Sequence, residues 1–72
     1  MDEKSQILFM QIRILRIAST RLHKSLKETA ILFRQYDVLA YIRTGYGIFH
    51  VEGDDAVFED VRNYLITKGA VV

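Results

Sequence analysis

Residues 25–46, SLKETAILFRQYDVLAYIRTGY, constrain this chain most, because two helix starts and two breaks fall within a few turns. Ser25 followed by Glu28 fits the capping box S-x-x-E. In that motif the serine hydroxyl accepts from the backbone N–H three residues on, and the glutamate reaches back to the serine N–H. On a helix over 26–35, the side chains of Leu26, Thr29, Ala30, Phe33 and Tyr36 share one face. Asp37 offers a second cap ahead of Val38, Leu39, Ala40, Tyr41 and Ile42. Tyr36-Asp37 is therefore the expected joint of a helical hairpin. Gly45 and Gly47 are expected to end the second helix near residue 44.

The first helix is expected over about 4–23. Its apolar residues Ile7, Leu8, Met10, Ile12, Ile14, Leu15, Ile17, Ala18 and Leu22 cover more than half the circumference at helical period. Gln11 falls inside that stripe, and Phe9 falls on the polar side with Arg13 and Arg16. So wide a stripe serves either as a central core helix or as an apolar surface left over for a partner. After residue 47, Ile48 to Val51 could form a short strand paired with Ala70, Val71 and Val72, but one more turn or irregular chain fits better. A last helix is expected over 55–68, capped by Asp54 and Asp55. Val57, Phe58, Val61, Tyr64 and Leu65 share its inner face, and Gly69 follows it as a stop. The expected fold is all-α: one domain over 1–72, a bundle of three to five helices with a long first helix, a central hairpin and an acidic last helix.

Seventy-two residues without cysteine or proline have neither a disulfide staple nor a thiolate metal site. A chain of this size buries only about 60% of its unfolded surface, so association is a common source of added stability. Half the residues are apolar, which excludes a disordered chain. The absence of cysteine fits a reducing cytoplasm. The opening Met1-Asp2-Glu3-Lys4 is not the basic start of a signal peptide. The apolar run 7–17 is broken by Gln11, Arg13 and Arg16 and is too short to span a bilayer.

Net charge is +1, but it is unevenly spread. Arg13, Arg16, Arg21, Lys24, Lys27 and Arg34 stand against one acid, Glu28. Glu52, Asp54, Asp55, Glu59 and Asp60 then follow without a base. The two blocks can complement each other within one copy or between copies.

No catalytic set emerges. His23 and His50 lack any metal-ligand spacing, and the glycines lack a phosphate-loop frame. Glu59 and Asp60 are adjacent on a helix and point about a quarter-turn apart. His50 near Tyr46, Asp54 or Asp55 reads as a structural histidine more readily than a base. No cofactor and no metal is expected. A DNA-reading helix-turn-helix fits poorly, since the turn has no glycine and the second helix offers only Arg43 as a long polar side chain.

The order Lys27-Glu28-x-Ala30-x-Leu32-Phe33-x-x-Tyr36, Val38-Leu39-x-Tyr41-Ile42, Tyr46, Phe49-His50 and Glu59-Asp60-Val61-x-x-Tyr64-Leu65 resembles a bacterial family of short proteins, domain of unknown function 3791. The resemblance covers about residues 28–65. Asp37 stands where that family often has Gly, Ala40 where it often has Asp, and Phe49 where it often has Leu. The resemblance implies no enzymatic activity. It also implies genes lying beside those for ADP-ribosyltransferase-like proteins, an arrangement like that of a toxin and its small neutralising partner.

The resulting expectation is a cytoplasmic, non-enzymatic interaction protein that self-associates as a dimer and is an antitoxin-like partner of a toxin or effector. Its contact residues would be Leu8, Ile12, Leu15, Tyr46, Phe49 and His50, with Asp54, Asp55 and Glu59 steering a basic partner. Tyr41 and Tyr64 are expected to pack the core. The alternative is a small DNA-binding or regulatory protein holding phosphates with Arg13, Arg16, Lys24 and Lys27.

Overall fold

The computed structural model describes residues 2–72. Four helices follow in order: α1 Glu3–Arg21, α2 Leu26–Gln35, α3 Val38–Phe49 and α4 Asp54–Thr67. There is no strand among the described residues. Ile48 and Phe49 complete α3, and the N–H groups of Val51 and Glu52 bond back to the carbonyls of Ile48 and Phe49 in a tight turn.

α1 is the wall on which the others lean, for each of the other three helices packs against it. Met10, Ile14 and Ala18, spaced four residues apart on one line of the helix, are buried. Leu15, Ile17 and Leu22 pack beside them. Gln11, the polar residue within the apolar stripe, donates its side-chain amide to the Leu39 carbonyl at 2.8 Å and so fastens α1 to α3. The Asp2 carboxylate caps the start by accepting from the Ser5 N–H at 2.8 Å.

The turn into α2 is tightly specified. The His23 N–H bonds the Thr20 carbonyl, and the Lys24 N–H bonds the Ser19 carbonyl. That is the Schellman pattern, with His23 in the left-handed position (φ 55°) where glycine is usual. The capping box at Ser25 is complete: Glu28 N–H to Ser25 Oγ is 3.0 Å, and Ser25 N–H to Glu28 Oε1 is 2.9 Å. The Ser25 backbone N–H first, and then the Ser25 hydroxyl, hold the Glu28 carboxyl below its ordinary value. α2 buries Thr29 and Phe33, whereas Leu26 and Ala30 stay exposed. The Thr29 hydroxyl is satisfied by the Ser25 carbonyl at 2.8 Å.

Two expectations about caps need correction. Asp37 precedes α3 but makes no side-chain cap bond; it sits in the left-handed region at φ 55° and serves as the hinge itself. Asp54 and Asp55 form the first turn of α4 and do not cap it; the cap position is Gly53, with no side-chain bond. Their carboxylates turn instead to arginines of α1. They still favour α4 through its dipole.

The glycines do not end α3 at residue 44. The helix runs through both and stops after Phe49. Gly45 is needed for packing, because a Cβ there would lie 2.4 Å from Phe49 Cε2. Missing side chains therefore mark a close approach within a helix rather than its end. α4 buries Val57, Phe58, Val61 and Leu65. It closes in a second Schellman turn, with Gly69 at φ 92° and the Ala70 N–H on the Leu65 carbonyl at 2.9 Å.

Candidate functional site

The outer side of α1 carries three of the large apolar side chains that the core leaves exposed. Leu8 is 52% exposed, Phe9 46% and Ile12 40%. Ile12 lies four residues after Leu8 and three after Phe9, so it neighbours both on the helix surface. Leu15, expected alongside them, is half-buried and packs against the core, so it forms the inner edge of the patch. Phe9 belongs to the exposed patch although its position on the helical wheel had set it among the polar residues. Its neighbour in that direction, Arg16, is exposed too.

The second expected contact region divides. Phe49 is buried at 6% exposure and cannot offer its ring to a partner, since it is held against Gly45 and tilted onto Tyr41 at 5.5 Å. Tyr46 is half-buried, and its hydroxyl donates to Gln6 Oε1 at 2.9 Å. The exposed His50 stacks on the Tyr46 ring at 5.3 Å. Tyr41 and Tyr64 stack at 4.2 Å between α3 and α4, as packing residues do. Partial burial, then the carboxylates of Asp60 and Glu52, push the Tyr41 phenol upward.

Two acids of the acidic segment, Asp54 and Asp55, are paired with arginines of α1. Arg13 Nε donates to Asp54 Oδ2 at 3.1 Å, and Arg21 Nη2 to Asp55 Oδ1 at 2.5 Å. The two acid–base blocks therefore complement each other within one copy. Both pairs are well exposed, so each contributes about 0–1 kcal/mol to stability. Among the described residues Glu59 is the exposed, unpaired acid of the three expected to steer a partner. On the basic face Arg13 gives its Nε–H to Asp54, while Arg16 and Lys27 are exposed and Lys24 half-exposed.

One relationship had no signal in the sequence. Glu52, in the turn after α3, sets its carboxyl against that of Asp60 on α4. The Glu52 Oε2 atom is covered and has no hydrogen-bond partner among the described residues. Desolvation, then the neighbouring Asp60, raise the Glu52 carboxyl above its ordinary value. Two carboxylates cannot both ionise cheaply at that range, and protonation lets one donate to the other.

The geometry defines a four-helix α domain with a polar-tied interior and an apolar patch outside its first helix. No helix among the described residues is long and apolar enough to cross a membrane. The family model described as "Protein of unknown function (DUF3791)" matches residues 9–68, and the chain belongs to that family. No curated protein and no solved structure matches it.

Proposed function

We propose that the chain is a non-enzymatic protein-interaction module of the cytoplasm that docks through the outer face of α1, with a second copy of itself as the first occupant. The observation that carries this reading is the exposed row Leu8, Phe9 and Ile12 on a helix whose opposite side is already fully used by the core. Keeping such a row in water is unfavourable by about 25 cal/mol per Å² of apolar area, and pairing two rows removes it. A short chain without staples also gains stability from association. An antitoxin-like role, binding a toxin or effector, rests on the gene neighbourhood that the family resemblance implies. In that role the same face would exchange its own copy for the partner.

The test is sedimentation equilibrium of the whole chain and of Ile12→Asp. A concentration-dependent dimer that Ile12→Asp converts to a monomer, with helicity unchanged, supports the reading. A wild type that stays monomeric at millimolar concentration overturns it. The nucleic-acid alternative draws on Arg13, Arg16, Lys24 and Lys27, of which Arg13 is ion-paired with Asp54.

A further inference from the structure

A second concave surface lies away from the α1 outer face, where the α1–α2 turn meets α4 and the last residues. It is a cleft of about 450 Å³. That is within the range of small-molecule sites, about 300–1,000 Å³. Leu22, Phe58, Val71 and Val72 supply apolar wall. Arg21, His23 and Lys24 from the α1–α2 turn and Arg62 from α4 converge on it, with Glu59 the acidic side chain of its lining.

The basic groups are placed and not merely crowded. The Arg21 guanidinium lies 5.4 Å over the Phe58 ring and gives one N–H to Asp55, so the fork is held while its other donors stay available. Arg62 is exposed and makes no hydrogen bond or ion pair among the described residues. The carbonyls of Ser19 and Thr20 at the end of α1 are taken by the N–H groups of Lys24 and His23, so they do not draw the cleft's cations back. The turn also keeps an imidazole in a left-handed position that glycine would fill with less strain.

We propose that this cleft binds a small organic phosphate. A phosphate offers three acceptor oxygens to two guanidinium forks and an ammonium. The apolar wall would take the organic part, so the ester should bind more tightly than the free ion. Glu59 opposes the anion and limits affinity. The proposal is independent of the α1 docking face, since none of Leu8, Phe9 or Ile12 lines the cleft.

The experiment is a ¹H–¹⁵N NMR titration of the whole chain with phenyl phosphate, with inorganic phosphate, and with sodium chloride at matched ionic strength. Saturable shifts are expected at residues 21–24 and 58–62, with phenyl phosphate the tighter ligand. Arg62→Ala should weaken binding about tenfold. Glu59→Gln should tighten it about threefold. Arg16→Ala, outside the cleft, should change nothing. Shifts that never saturate, that chloride reproduces, or that Arg62→Ala leaves intact would overturn the proposal. Saturable binding of a short DNA duplex at these residues without any of phenyl phosphate would also overturn it, in favour of a nucleic-acid contact.

Discussion

The Tyr64 hydroxyl donates to the backbone carbonyl of Tyr36 at 2.6 Å, tying α4 to the joint between α2 and α3. The last residue of the α2 turn has lost its intrahelical acceptor role, and a side chain from the far end of the chain replaces it. Tyr64→Phe should keep the stack on Tyr41 and lose only this bond. The expected cost is about 1 kcal/mol. It would appear as a lower urea midpoint with unchanged slope, and an unchanged midpoint would show that water replaces the phenol.

The two glycines of α3 should answer oppositely to alanine. At Gly47 no atom lies within 4 Å of a new Cβ. Gly47→Ala should gain up to about 1 kcal/mol from helix propensity. At Gly45 the new Cβ meets the Phe49 ring at 2.4 and 2.7 Å, and that ring is buried. Gly45→Ala should cost about 1–3 kcal/mol. Thermal midpoints moving apart would support this account; two rising midpoints would mean that Phe49 can swing away.

Asp37→Gly should stabilise the domain by about 1 kcal/mol, because the left-handed backbone is unfavourable for a side chain and no cap bond is lost. A fall in the denaturation midpoint would show that the carboxylate matters in some other way.

Glu52 sets a pH dependence with a definite sign. Its folded value is raised above the ordinary 4.5. The folded chain therefore keeps a proton that the unfolded chain has released, and stability from this group declines as pH rises through the folded value. Asp2 and Glu28 act oppositely: their lowered values give stability at higher pH that is lost on acidification. The useful quantity is thus the wild type minus Glu52→Gln, measured by urea denaturation from about pH 4 to 8. The variant should gain relative stability toward neutral pH, because glutamine can donate to Asp60 without a proton. A difference that stays flat with pH would sink this.

The readability of the chain followed the range of the interactions. The capping box of Ser25 and Glu28 closes within one turn, so its residues specify it, and α2 is found over Leu26–Gln35. The inner face of α4 was visible from its period, and Gly69 from its place after Lys68. Gly45 was misread because its partner is a ring one turn away whose inward orientation depends on the core. Asp54 and Asp55 were misread as caps because their arginines lie on α1, far off in sequence. The same pairing joins the two charge blocks that the sequence shows apart. Of the apolar candidates, Leu8 and Ile12 emerged at the surface, while Phe49 went inside. Helical period places residues on a face but does not say which faces find cover.

α1 holds the fold by its Met10–Ile14–Ala18 line and shows Leu8, Phe9 and Ile12 on another side. The two rows share a backbone but few constraints. Leu8 and Ala18 stand ten residues apart, about 15 Å along the helix, so substitutions at the two should add in their effects on stability. Such a helix resembles an address label fixed to a frame: what the label reads can change without rebuilding the frame that carries it.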